Sequence, residues 1–413
     1  MYLLFMRNVI TLMSGTVLSQ LIPILFSPIL SRIYTPSEMG LLAIVLSISS
    51  IISIVVTGRY EVAITLPKNN NAALHLLVLV LILSLACSSL LALVFVIYGD
   101  YLFLVFGSVH KLFLILVPIY GGALAIFQAC ILWLNRNAQY GSISRYRILQ
   151  SASVIFFQVI LGFLDFGGLG LVIGAMLGVL ISLILVMSRI IRNEIDNISS
   201  ITIRVLIDSL FRYSRFPRYS LAANTFNSIS YQGPTLLIKY FFSSYSTGLY
   251  ALTQRVVASP VTVVASAFGD VFRREASIVY SDKGSCADLF DQTLKRLLMV
   301  SLVPFLIFIW LAPDLFSFIF GSEWLTSGHY ARVLAPMYFF RFISYPLSNM
   351  FVIAEKQHID FYIHSVLFIV TIISFTIGYS FGSIMLSISI YSFSFSCAYA
   401  FCIYLSRRFS RGV

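Results

Sequence analysis

Five charged side chains stand in or at the end of long apolar stretches of this chain: Arg59, Glu61, Lys239, Arg255 and Arg341. A charge at the middle of a bilayer costs at least about 2.5–3.5 kcal/mol on insertion scales, so each needs a partner or a wet cavity. Arginine suits one chemistry above others: its planar, permanently charged fork offers paired donors to phosphate or carboxylate oxygens. Arg341 lies between Pro336 and Pro346, about ten residues past Ala331. Two readings are open for it, an anion-binding group on a bent gating helix or a structural arginine bound to carbonyls that the prolines free. Arg255, with Pro260 beyond it, reads as lining a cavity. Arg59 and Glu61 flank Tyr60 and precede the apolar Val62–Leu66, a pattern that favours a buried site over a simple topology anchor. Lys239 either binds an anion or snorkels to the interface.

Uncharged polar residues recur at helical spacing. Asn224, Asn227, Ser228, Tyr231 and Thr235 form one stripe, and Thr16, Gln20, Ser27 and Ser31 a weaker one. Such faces match sugar hydroxyls in a wet cleft. Small polar residues also hold membrane helices together, which explains the serines at least as well but Gln20, Asn224 and Asn227 less well. Arrangements that carry covalent chemistry are missing: the chain has no GxSxG, no P-loop, no DxD-like cluster and no paired carboxylates on an outer segment. Its five histidines are dispersed, and Cys87, Cys130, Cys286, Cys397 and Cys402 are odd in number and lack a CxxC. Neither a disulfide framework nor a metal site is expected, and no cofactor.

The elements that must position these groups are membrane spans. Of 413 residues 59% are hydrophobic and only 10% charged, where a soluble domain carries about a quarter. Charge-free runs long enough to cross hydrocarbon, about 20 residues, predict twelve helices. They fall near 9–31, 39–57, 73–97, 112–134, 148–164, 169–189, 219–239, 249–268, 295–313, 331–353, 361–380 and 383–405. The run 361–406 holds 46 residues without a charge and must break, at Gly378–Gly382. Thr35, Pro36 and Glu38 spell a capping box with proline at the first helical position, so the second helix starts near Pro36 and reaches Arg59. No cleaved signal is expected ahead of the first run.

Basic residues gather on the cytoplasmic side of membrane proteins. With the N-terminus inside, inner segments hold 21 of the 27 lysines and arginines, while the outer segments hold four, Arg32, Lys111, Lys239 and Arg332. Both termini are therefore expected in the cytoplasm, and the net charge of +11 is a topology signal that calls for no nucleic acid. Outer segments are short, the longest being Tyr98–Lys111, whereas inner loops 190–218 and 269–294 are longer. The longest inner loop divides the chain into an N-terminal six-helix bundle (1–194), a cytoplasmic linker (195–218) and a C-terminal six-helix bundle (219–413). Each half reopens alike, with Gly40-Leu-Leu-Ala43 and Gly248-Leu-Tyr-Ala251 after a short outer turn carrying Arg32 or Lys239. An even number of helices per repeat makes the halves parallel. The fold class is all-α integral membrane.

The segments Gly15-Thr16, Gln20, Pro28-Ile-Leu-Ser-Arg32-Ile-Tyr-Thr-Pro36, Gly40 and Gly58-Arg-Tyr-Glu61 with Leu66-Pro67 resemble the opening of the Wzx-type O-antigen/polysaccharide flippases. These belong to the multidrug/oligosaccharidyl-lipid/polysaccharide exporter superfamily. Lys239-Tyr-Phe and Gly248-Leu-Tyr250 are similar to that family's second-half opening. The resemblance implies a MATE-like pair of bundles around a cationic central cavity that alternates between inward- and outward-open states. It implies as cargo an undecaprenyl-diphosphate-linked oligosaccharide, passed from the cytoplasmic to the periplasmic leaflet of the bacterial inner membrane. It carries over onto Arg32, Arg59 and Glu61, whereas Arg255 and Arg341 fit a cationic cavity by their span placement. A polysaccharide polymerase and a chain-length regulator are further partners it suggests. A glycan polymerase or ligase would need an outer segment of domain size, and a drug antiporter of the same superfamily would carry more buried acids. Proton, sodium or membrane potential could drive the cycle, with Glu61 and Asp270 as the carboxylates open to coupling.

Overall fold

The computed structural model describes residues 2–99, 111–199 and 201–412, and among them all regular structure is helical. Twelve long helices follow in order: α1 (Tyr2–Leu25), α2 (Pro36–Val56), α3 (Asn70–Ile97), α4 (Lys111–Arg136), α5 (Tyr140–Phe163) and α6 (Gly167–Ser199), then α7 (Leu221–Phe241), α8 (Ser244–Lys283), α9 (Ala287–Phe320), α10 (Leu325–Leu347), α11 (Gln357–Ser380) and α12 (Ile384–Ser410). All but α7 and α10, the more polar two, contain a stretch long and apolar enough to cross a membrane. This is an all-α, multi-pass membrane protein. Most of the expected outer segment Tyr98–Lys111 lies outside the described residues.

The predicted capping box is present. Glu38 N–H donates to Thr35 Oγ1 at 3.4 Å, and Thr35 N–H to Glu38 Oε2 at 2.8 Å. Removing the hydroxyl with Thr35→Ala is expected to cost about 1 kcal/mol, read as a lower thermal midpoint of the detergent-solubilised protein. Ser243 caps α8 in the same way, accepting from Ser246 N–H at 3.1 Å. Gly40 and Gly248 each fall at the fifth residue of their helix, Pro36 and Ser244 being the first. The tetrapeptide repeat is thus a repeat of helix register.

Several limits differ from expectation. α2 ends at Val56, and Thr57-Gly58-Arg59 form a turn before a short helix Tyr60–Ala63, because Gly58 and Arg59 both take positive φ. α5 begins at Tyr140 instead of 148, so Arg147 lies within the helix. Residues 269–294 are helical except for the turn after Lys283, where Gly284 takes φ 69°. Past a kink at Glu194, the linker carries a helix Ile203–Arg212 and a π-helical turn Phe216–Ser220. α10 starts six residues early, which places Arg332 about two turns inside it instead of at its outer end. Arg332 donates to the carbonyls of Ile309 at 2.9 Å and Trp310 at 3.0 Å. Pro313, four residues after Ile309, has no N–H to offer that carbonyl. Arg332 thus takes up a carbonyl that a proline frees. The break between α11 and α12 comes at 381–383, with Gly382 at φ 64°.

The chain divides into two compact units, one ending at Leu236 and one beginning at Leu237, inside α7. In the first, α5 packs on both α1 and α6, and α4 on α2 and α3. Its core gathers Leu74, Leu77, Phe127, Trp133 and Ile143. In the second, α10 packs on α8, α9 and α12, around Phe272, Phe290, Ile343 and Phe351.

Candidate functional site

Within the unit that begins at Leu237, a cavity of about 430 Å³ is lined by residues of α8, α10, α11 and α12. Helical spacing sets which side chains meet there. Asp270 and Arg273 stand three residues apart on α8, Arg341, Ser344 and Ser348 repeat along the end of α10, and Asp360 and His364 stand four apart on α11. His364 Nε2 lies 3.6 Å from Asp360 Oδ1. Asn349 binds the end of α10 to α8, donating to the carbonyls of Pro346 at 2.9 Å and Gly269 at 3.4 Å. Two guanidinium groups, two carboxylates and several hydroxyls share this space. The arginines offer forks to an anion, while the carboxylates and hydroxyls match a polyol. Among the described residues no group of three or more metal-ligating side chains forms. Arg341 sits sixteen residues after Leu325 in a helix that ends at Leu347, in its last third rather than at its middle.

A second charged cluster lies in the unit that ends at Leu236. Arg59 Nη1 donates to Glu61 Oε1 at 3.0 Å, and the two side chains are 22% and 5% exposed. That exposure makes the carboxylate a buried charge. The Arg59 backbone is left-handed at φ 63°, a conformation that costs a residue with a Cβ about 1–2 kcal/mol. Arg59 Nε and Glu61 Oε2 are buried without a protein partner, so the pair leaves hydrogen-bonding capacity unused. Tyr60 between them donates to the Leu210 carbonyl at 2.9 Å and is thereby tied to the linker helix. Burial pushes the Tyr60 hydroxyl above its ordinary pKa, and the nearby Arg218 pulls it partly back. Arg136 closes the other side by donating to the Ile64 carbonyl at 3.3 Å.

The remaining expected residues do not join either cluster. Arg255 lies in a π-helical segment, Gln254–Ala258, eleven residues into α8, where Ser259 N–H reaches back five residues to the Gln254 carbonyl. Pro260 just beyond has no N–H for the normal ladder. Arg255 Nη1 is buried without a partner, and the residue is not among those lining the 430 Å³ cavity. Lys239 Nζ donates to Ser244 Oγ at 2.7 Å across the turn from α7 to α8. Arg32 is exposed at the end of the short helix Ser27–Ile33. Asn224 turns back on its own helix, donating to the Ser220 carbonyl at 2.7 Å, while Asn227 and Gln20 are exposed.

Sequence reasoning missed three groups. Arg273 was counted with a loop that is helix. Gln232, one residue past Tyr231 of the polar stripe, donates to Ser50 at 2.8 Å and accepts from Ser47 at 3.2 Å. Arg147 donates to Thr16 Oγ1 at 2.8 Å. The signal for Arg147 was weak because the first turns of α5, Tyr140-Gly-Ser-Ile-Ser-Arg, are too polar to read as a span.

Comparison with known proteins places this arrangement. The sequence profile described as polysaccharide biosynthesis protein matches residues 29–329, well over half of the chain. The chain belongs to that family. No curated protein matches this polysaccharide biosynthesis protein in sequence. Among solved structures it is similar to one titled lipid II flippase MurJ, inward closed conformation, at 14% identity and a TM-score of 0.74, over 97% of this chain and 87% of that one. It is also similar to a multidrug resistance MATE family transporter of the MOP superfamily in an inward-facing conformation, at 15% identity and a TM-score of 0.56, over 97% and 93%. A MOP superfamily transporter from Pyrococcus furiosus, titled for the reverse polarity of its binding pocket, gives 14% identity and a TM-score of 0.58 over 98% and 95%. At these identities the likeness is one of fold, and the fold of this family member is MurJ- and MATE-like.

Proposed function

We propose that this polysaccharide biosynthesis protein is a flippase that carries an undecaprenyl-diphosphate-linked, O-antigen-like oligosaccharide from the cytoplasmic to the periplasmic leaflet of the bacterial inner membrane by alternating access. The observation that carries this reading is the Arg341 cavity: two arginines stand among hydroxyls and carboxylates in a helix-walled space of about 430 Å³. A diphosphate cannot cross hydrocarbon without such donors, and a glycan needs a polar lining, whereas the hydrophobic tail can stay in lipid. Family membership supports the polysaccharide context, and a similar fold serves a protein named as a lipid II flippase. Arg341 and Arg273 are the residues assigned to the anionic headgroup. Arg59, Glu61, Arg255, Arg32 and Lys239 are assigned to further charged contacts, and Gln20, Asn224 and Asn227 to glycan hydroxyls. No bond is made or broken.

The test is complementation. A bacterial host lacking its own translocase for lipid-linked repeat units should regain surface polysaccharide when this chain and the matching glycan-assembly enzymes are expressed. If the purified chain instead transfers sugars from a lipid-linked donor to an acceptor, it is a polymerase or ligase and the proposal fails.

A further inference from the structure

The linker helix Ile203–Arg212 carries one apolar arc, and its two edges meet different surroundings. Successive residues step round a helix by about 100°, so Leu206, Leu210, Ile203, Ile207 and Phe211 span a continuous arc of about 140°. One edge of the arc is covered. Leu206 and Leu210 pack on the core that holds Leu74, Trp133 and Ile143. Those three stand near the start of α3, in the last turn of α4 and in the first turn of α5. The helix therefore lies against the ends of three spans, at the level where they leave the membrane. Tyr60 fixes its roll by donating to the Leu210 carbonyl at 2.9 Å.

The other edge is bare. Ile203, Ile207 and Phe211 are 75%, 48% and 71% exposed, a stripe about 12 Å long. A row of exposed apolar side chains marks an interaction surface, and the charges around it say of which kind. Arg204 adjoins Phe211 on the helix, Arg212 lies on the polar side, and Arg215 and Arg218 follow in the next turns. All four are exposed, against the single carboxylate of Asp208. A helix that lies in the bilayer boundary has this pattern, with arginines beside the apolar arc reaching to the phosphates.

We propose that the stripe of Ile203, Ile207 and Phe211 sinks into the leaflet at this end of the spans, and that Arg204, Arg212, Arg215 and Arg218 bind anionic phospholipid headgroups there. In the basic-inside orientation this is the cytoplasmic leaflet. The covered edge sets the depth: the helix cannot leave the headgroup level without losing the packing of Leu206 and Leu210 and the bond from Tyr60. The charge sets the lipid, because four arginines against one carboxylate complement an anionic surface, each basic residue near such a surface favouring it roughly fivefold. This contact does not depend on what the protein carries.

The test places an environment-sensitive fluorescent amino acid at position 207 of the full chain and, in a second preparation, at 208 on the polar side. Each chain enters nanodiscs of mixed phosphatidylcholine and phosphatidylglycerol, with bromine on the acyl chains of one lipid or the other. Bromine is expected to quench the fluorophore at 207 and not the one at 208. At equal amounts, brominated phosphatidylglycerol should quench more strongly than brominated phosphatidylcholine. Replacing all four arginines by glutamine should abolish that difference, and Arg204→Gln alone should narrow it if the fourfold variant fails to fold. Equal quenching by the two lipids in the chain with its arginines intact would overturn the anionic-lipid contact. Quenching at 207 by iodide from the water would show that the stripe faces solvent, and blue-shifted emission without bromine quenching would show that protein covers it. Either result would overturn the proposal.

Discussion

Arg341→Ala is expected to abolish surface polysaccharide while leaving the amount of protein in the membrane unchanged. The side chain lines the cavity with Arg273, and its removal leaves a diphosphate with one fork instead of two. Each hydrogen bond to a charged group contributes about 1.5–3 kcal/mol, so the loss of a two-pronged contact lowers cargo affinity by at least about two orders of magnitude. Arg341→Lys keeps the charge but loses the planar fork, and an intermediate amount of polysaccharide is expected. The fold should tolerate both, because Arg341 is not part of the core of this unit around Phe272, Phe290 and Ile343. Immunoblots of membrane fractions beside gels of extracted polysaccharide separate the two effects. Normal polysaccharide in Arg341→Ala would remove this cavity from the mechanism.

The Arg59–Glu61 pair predicts a stability effect of comparable size. Glu61 is almost wholly buried and its charge is answered by Arg59 at 3.0 Å. In Arg59→Ala the carboxylate stays buried and unpaired, which costs about 3–5 kcal/mol. Glu61→Ala should cost less, since the guanidinium is 22% exposed and can reach water. The double variant should be more stable than Arg59→Ala alone, because no uncompensated charge remains. Thermal unfolding of the three variants in detergent measures the coupling, and additive losses would show that the pair does not interact.

Much of the fold was legible in the sequence because membrane spans declare themselves by length and charge alone. The capping box at Thr35–Glu38 and the break near Gly382 follow from local chemistry, and both were readable. Helix ends were not. Arg147, Arg273 and Arg332 are charged residues inside helices, and a charge was the very signal taken to end a span. Their true settings depend on partners far along the chain, Thr16 for Arg147 and the Ile309 carbonyl for Arg332, which no local pattern announces. The candidate site was half visible for the same reason. Arg341 stood out by its apolar surroundings, but its neighbours Asp360 and His364 looked like the start of a helix, and Arg273 like a surface loop. Asn224 shows the opposite error: its helical spacing was right, yet its amide is spent on Ser220 of its own helix.

One measurement reaches the central claim directly. The purified chain is reconstituted into sealed vesicles with a fluorescent undecaprenyl-diphosphate-linked oligosaccharide, and the fraction of glycan exposed to an external quencher is followed over time. The account predicts that exposed glycan equilibrates between leaflets in vesicles holding the wild-type chain, and that vesicles with Arg341→Ala behave like protein-free ones. Glycan that stays in its starting leaflet with the wild-type chain under an imposed proton gradient, sodium gradient and membrane potential would contradict it.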